Sequence, residues 1–156
     1  MEFFLAQTRS MKPRDSEKLQ TRDLLAEVES LLATQERALL SSHKLCASDL
    51  NILQRLLKKG SKPVNQLAPK VGLTSGSMTS AVQRLRKREL ITTHRDEKDG
   101  RKVWVQISKT GKQTLRQISN ERDALFAPMM GTLSDREGKV LIALLKKIRK
   151  VSRSKK

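Results

Sequence analysis

The sequence predicts a mainly α-helical fold with one small β-hairpin. Apolar residues recur at helical spacing through most of the chain, they alternate at Val103, Val105 and Ile107, and a turn dipeptide, Asp99-Gly100, stands just before that alternation. At 156 residues the chain is long enough for one domain with extensions and a substantial core.

Residues 1–16 mix apolar, polar and charged side chains, with Pro13 set against an early helix, and are expected to form an N-terminal arm. The run "SEKLQTRDLLAEVESLLATQERALLSS" then places Leu24, Leu25, Val28, Leu31, Leu32 and Leu39 at helical spacing, an apolar stripe over residues 17–44 that needs a cover. "SDLNILQRLLKKG" puts Leu50, Leu53, Leu56 and Leu57 on one face of a shorter helix, with Gly60 as its terminator. In "KPVNQLAPKVGLTSGSMTSAVQRLRKREL", Val64, Leu67, Ala68 and Val71 predict a short helix, Gly72 a turn, and Thr74 the N-cap of a further helix. This is a helix-turn-helix pattern. Pro69 removes one backbone hydrogen bond from the short helix, which is expected to kink or to start later, at Asn65.

In the second of these helices Met78, Ala81, Val82 and Leu85 fall at i, i+3, i+4 and i+7 and face the core. The opposite face presents Gly76, Ser80, Gln83 and Lys87, flanked by Ser75, Thr79 and Arg84, and base recognition in a major groove is expected from Ser75, Gly76, Ser77, Thr79, Ser80, Gln83 and Arg84. A helix that enters the major groove must bring its backbone close to the bases, so small residues near its N-terminus help, and glutamine pairs bidentately with adenine. Arg84, Arg86, Lys87 and Arg88 are candidates for phosphate contacts. Taken alone, this segment also reads as a solvated helix face followed by a basic loop.

The hairpin shifts that balance. "LITTH" predicts a strand, Asp99-Gly100 suits a tight hairpin turn, and the alternating residues form the returning strand. Following the helix directly, the hairpin can reach the adjacent minor groove with its cationic tip: Arg95, Lys98, Arg101 and Lys102. Asp99 is expected to orient Arg101 or to cap the turn. Residues 45–109 therefore predict a winged helix-turn-helix. The charge agrees, since 33 Lys and Arg stand against 16 acids, giving +17, and so basic a chain meets a polyanion.

Residues 110–151 return to helical spacing. Leu115, Ile118, Leu125 and Met129 lie on a helix ended by Pro128 and Gly131, and "SDREGKVLIALLKKIRKV" opens with a capping box, Ser134 and Glu137. Val140, Leu141, Leu144, Leu145, Ile148 and Val151 make this last helix strongly amphipathic. Its tail, from Lys146 to Lys156 and including the basic end at residues 152–156, holds seven cations and no acid and is expected to be partly disordered, the other reading being a further phosphate contact.

Several classes are excluded on composition. No stretch approaches the roughly 20 apolar residues of a membrane helix, and "MEFFLAQTRSMK" has too short an apolar core for a secretory signal, so the expected location is the cytoplasm. Cys46 has no partner for a disulfide, and with only His43 and His94 beside it no structural metal site or cofactor is expected. No Ser/His/Asp arrangement, phosphate-cradling glycine loop or paired carboxylates point to an enzyme.

From about Leu45 to Leu115 the chain resembles the MarR (multiple antibiotic resistance regulator) family of transcription factors. The resemblance rests on "VNQLAPKVGLTSGSMTSAVQRLRKRELI" and on the wing "RDEKDGRKVWVQISKTGKQTL", where Asp99, Arg101, Ile107, Ser108 and Gly111 carry the family pattern. Gly100 stands where the family often has Arg, and Ile107-Ser108 where it often has Leu-Thr. The resemblance implies a homodimer in which the first helix and the last two interlock, with two winged domains on a pseudo-palindromic duplex, and a repressor by family habit. The apolar stripes at both chain ends agree independently, because one small winged domain cannot cover them. An intramolecular bundle in a monomer is the other way to cover them.

Members of the family commonly bind aromatic anions between the dimer helices and the winged domain. Here there is no Tyr, one Trp and three Phe, which argues against an aromatic-lined effector pocket, and Trp104 reads as a packing residue. Some members sense oxidants through a cysteine, but Cys46 lies near the start of the second helix rather than in the first, and an inert core position is its plainer reading. The expected function is sequence-specific binding of double-stranded DNA by a homodimer. The rivals are a basic architectural or RNA-binding module without sequence choice, and an enzyme using Cys46 as nucleophile.

Overall fold

The computed structural model describes residues 13–153, so the beginning of the expected arm and the last three residues of the tail lie outside the described residues. Helix α1 spans Pro13–Ser42 and α2 Ala47–Lys59; a short strand β1, Lys62–Pro63, leads into α3, Val64–Val71, and α4, Ser75–Lys87. Strands β2, Ile91–Arg95, and β3, Val103–Ile107, follow, then α5, Lys109–Met130, and α6, Asp135–Arg153. Among the described residues no helix is long and apolar enough to cross a membrane. The chain divides into two compact units, residues 1–38 and 39–156.

The described part of the first unit is helical. Pro13 opens α1 instead of preventing it, because a proline in the first turn lacks an N–H that has no helical partner there and its fixed φ suits the helix. Residues 13–16, expected in the arm, are therefore helical. Leu24, Leu25, Val28 and Leu31 all lie exposed on α1.

The second unit holds the core. Ile52, Leu53, Leu67, Met78, Leu85, Val105 and Ile118 have no exposed surface, so α2, α3, α4, the sheet and the start of α5 share one interior. On α2 the inward face runs Asp49, Ile52, Leu53 and Leu56, the i, i+3, i+4, i+7 set, and Leu57 is exposed. A count of leucines alone puts that face a fraction of a turn away, since it misses the buried acid.

The sheet has three antiparallel strands in the order β1-β3-β2, with Pro63 and His94 both opposite Trp104. Strand β1 has no sequence signal: it is two residues long, and its proline is tolerated because β1 is an edge. Helix α3 starts at Val64, not Asn65, and runs through Pro69. The proline removes the bond to the Asn65 carbonyl, at an exposed position where solvent can replace it. Helix α5 likewise continues past Pro128 to Met130, with Gly131 as its C-cap. The capping box of α6 is formed: Glu137 Oε2 accepts from the Ser134 N–H at 2.8 Å and from its hydroxyl at 2.6 Å, and Ser134 Oγ accepts from the Glu137 N–H at 3.4 Å.

Candidate nucleic-acid interface

Helix α4 is aimed by its local chemistry. Gly72 closes α3 in the left-handed region, φ 72°, and lets the Leu73 N–H return to the Ala68 carbonyl. Two residues on, Thr74 Oγ1 accepts from the Ser77 N–H at 3.3 Å and starts α4. With Met78, Ala81, Val82 and Leu85 buried, Ser75, Gly76, Ser77, Thr79, Ser80, Gln83, Arg84 and Lys87 are all exposed. The Thr79 and Ser80 hydroxyls donate back to the Ser75 and Gly76 carbonyls, which fixes these side chains and leaves their oxygens free to accept.

The wing is built on an acid that neither spacing nor turn chemistry singles out. Residues 96–102 form a seven-residue loop, not a tight two-residue turn, because Asp96 organises it: Oδ1 accepts from the N–H groups of Lys98 and Asp99, each at 3.0 Å, and Oδ2 from the Trp104 indole at 2.8 Å. Those three bonds, the Trp104 one foremost, hold the Asp96 carboxyl below the usual carboxylate range. Trp104 also lies flat against His94, with ring centroids 6.2 Å apart and planes 7° from parallel. Asp99 caps the tip, accepting from the Arg101 N–H at 3.2 Å, and lies 3.4 Å from Lys102 Nζ. The one sequence signal for Asp96 is its place eight residues before the only Trp, across the strand pair.

A cleft of about 400 Å³ joins the two pieces. Asn65 of α3, Ser75, Thr79 and Gln83 of α4, and Arg101 and Lys102 of the wing line it, with Arg86 beside them. The Arg101 side chain is 99 % exposed, held only loosely 4.0 Å from Asp99. Gly76, Ser77, Ser80, Lys87, Arg95 and Lys98 are exposed outside that cleft. The angle between α4 and the wing is fixed by Ser108, which donates to the Glu89 carbonyl at 2.6 Å and accepts from the Gly111 N–H at 2.9 Å. Gly111 is required there, since a Cβ would collide with the Leu90 carbonyl oxygen.

Two arginines from the expected phosphate-binding run have partners inside the protein. Arg84 Nη2 and Nε reach the two oxygens of Asp49 at 2.6 and 3.1 Å, and Asp49, only 1 % exposed, also accepts from the Cys46 N–H and thiol. Burial pushes the Asp49 carboxyl up, but the bonds from Arg84 and Cys46 outweigh it and hold it below the usual range. Arg88 donates to the Lys44 and His43 carbonyls at 2.6 and 2.7 Å and pins the loop between α1 and α2. Spacing gave no hint of either, because the partners lie more than thirty residues apart.

Residues 36–118 match the family of transcriptional regulators described as SarA/Rot. The chain belongs to that family. As a SarA/Rot regulator it is a transcriptional regulator of the winged-helix, MarR-like kind and not an enzyme. It is similar to the HTH-type transcriptional regulator MhqR of Bacillus subtilis, 30 % identical over 106 residues that cover 68 % of this chain and 73 % of MhqR. In fold it is similar to a MarR family protein of Bacillus stearothermophilus, at a TM-score of 0.74 and 24 % identity, covering 92 % of this chain and 99 % of that one. It is also similar to an S. aureus MepR mutant solved bound to an oligodeoxyribonucleotide, at a TM-score of 0.68 and 16 % identity, covering 84 % and 96 %. Within this SarA/Rot regulator the matched residues take in α2, the helix-turn-helix, the wing and the start of α5.

Proposed function

We propose that this regulator acts in the cytoplasm as a homodimeric, sequence-specific binder of double-stranded DNA, of repressor type, on a pseudo-palindromic operator. The observation that carries the reading is the single cleft in which the small polar face of α4 meets the wing cations. Ser75, Thr79 and Gln83 within the cleft, and Gly76, Ser77 and Ser80 on the exposed helix face beside it, meet base edges in the major groove, and Arg101 enters the minor groove. Lys87, Arg95, Lys98 and Lys102 contact phosphates. Arg84 contributes by tying α4 to α2 through Asp49. The oligonucleotide complex of the MepR mutant lends support to this reading.

Homodimerisation is supported by apolar surface that the chain leaves bare. Leu24, Leu25, Val28 and Leu31 on α1 and Val140, Leu144, Leu145 and Ile148 on α6 are all exposed, and a second copy related by a two-fold axis would cover them. The operator and any effector are named by genomic capture of bound fragments and by ligand titration.

The test is a binding titration against a selected palindromic duplex and its scrambled counterpart. A preference of about 10³ or more is expected, and one under about tenfold overturns the reading in favour of a basic module without sequence choice. In the same assay Gln83→Ala is expected to lose about 1–3 kcal/mol at one base position, whereas Lys98→Ala weakens all duplexes alike and lowers the salt slope by about 1.

A further inference from the structure

The cleft between α4 and the wing accounts for only part of the positive surface. Arg55, Lys58 and Lys59 on the second half of α2, Lys62 on β1 and Lys70 on α3 gather around two adjoining depressions that no acid lines. Arg55, Lys59 and Lys70 line both. Among the described residues no carboxylate lies within ion-pair distance of any of the five, although elsewhere Asp15, Asp23, Asp49 and Asp99 each hold a cation. The favourable end of a helix dipole explains Lys58 and Lys59 in the last turn of α2 and Lys70 in that of α3. It explains neither Arg55, one turn earlier, nor Lys62 on the strand.

The patch is continuous with the cleft already described. Asn65 lines the cleft that holds Arg101 and Lys102 and also the depression that holds Arg55, Lys59 and Lys62. Helix α3 is thus a low ridge with cations on either side, and no acid lines the depressions on it. Five uncompensated like charges repel one another at low ionic strength, and a line of phosphates relieves that repulsion while releasing the condensed counterions of the nucleic acid.

We propose that this patch binds the phosphate backbone of the same DNA duplex beyond the base pairs that α4 reads, so that the protein grips flanking DNA of any sequence. The proposal rests on the reading of α4 and the wing as the DNA-reading surface. It gives affinity and salt dependence without adding to base choice, since phosphate contacts carry no sequence information.

The experiment uses the full chain and two duplexes with the same operator, one ending at the bases covered by α4 and the wing, the other longer by about one helical turn, about ten base pairs, on each side. The triple variant Arg55→Gln, Lys59→Gln, Lys62→Gln is compared with the unaltered protein across a salt series. On the long duplex the slope of log affinity against log salt is expected to flatten by up to about 3 per protomer, at about 0.9 for each phosphate no longer neutralised. On the short duplex neither slope nor affinity changes, and the preference for operator over scrambled DNA is unchanged on both. Equal slopes for the two proteins on the long duplex overturn the proposal, and so does an equal loss on both lengths. A second variant, Lys58→Gln with Lys70→Gln, leaves β1 intact and is expected to flatten the long-duplex slope by about 2, which keeps the test decisive should the triple variant misfold. Loss of operator preference by the unaltered protein counts against the reading of α4 and the wing, and the length dependence of the slope decides the patch separately.

Discussion

Leu53 on α2 and Leu144 on α6 are the same residue on two amphipathic helices, yet the first has no exposed surface and the second is 53 % exposed. Around Leu53 the helix-turn-helix, the sheet and the first turns of α5 close over one another. Around Leu144 no such enclosure forms among the described residues of its own unit. The winged part closes around its own core, whereas α6 presents an exposed apolar face that the proposed dimer would bury. Stability and assembly are therefore expected to respond to different residues, and the largest effects should separate them most cleanly.

Leu53→Ala is expected to lower the unfolding free energy by about 2–5 kcal/mol, by the same amount at low and at high protein concentration, as read by urea denaturation at two concentrations. A concentration-dependent loss would break the distinction. Leu144→Asp is expected to leave the winged part folded and to raise the dimer dissociation constant by about a hundredfold, about 3 kcal/mol, measured by sedimentation equilibrium. A variant that stays dimeric would take α6 out of the interface.

Asp49→Asn sharpens the comparison from the buried side. Replacing the carboxylate under Arg84 is expected to cost about 1–3 kcal/mol at neutral pH. The Asp49 carboxyl is held below its ordinary value of 3.8, so its contribution is complete above that value and is lost as the pH falls through the lower, folded one. The stability gap between the unaltered protein and the variant should then close in acid, as read by denaturation from pH 6 down to about pH 2. Smallest is Trp104→Phe, which removes the indole donor from Asp96 and keeps the ring. It is expected to cost about 1 kcal/mol or less and to speed hydrogen exchange at the Lys98 and Asp99 amides while the core amides hold.

What the sequence disclosed was local. Thr74 with Ser77, and Ser134 with Glu137, act across three residues, and Met78, Ala81, Val82 and Leu85 share one face of one helix, so spacing alone reveals them. What it hid was non-local or charged. Strand β1 exists only because Lys62 and Pro63 meet Val105 and Trp104, some forty residues on. Asp49 is buried because Arg84 neutralises it from another helix, and a hydropathy count gives an acid no inward place. In the wing the turn dipeptide drew attention to Asp99, while Asp96, three residues earlier, holds the loop through a bond to a strand residue that no turn rule foresees. Of the candidate interface, the exposed face of α4 and the wing cations were legible. The partners of Arg84 and Arg88, and the basic gathering on α2 and α3, needed coordinates.

Ser108 has a consequence at a larger scale. Its single oxygen touches Glu89, two residues past the end of α4, and Gly111, the third residue of α5, and it directly follows the returning strand of the wing, so three elements meet at one hydroxyl. A swing of α5 is therefore expected to carry the end of α4 and the wing with it as one head. In a two-fold pair of such chains the gap between the two heads then becomes a matter of how the long helices diverge, and matching the roughly 34 Å repeat of a duplex is a problem of gearing rather than of contact.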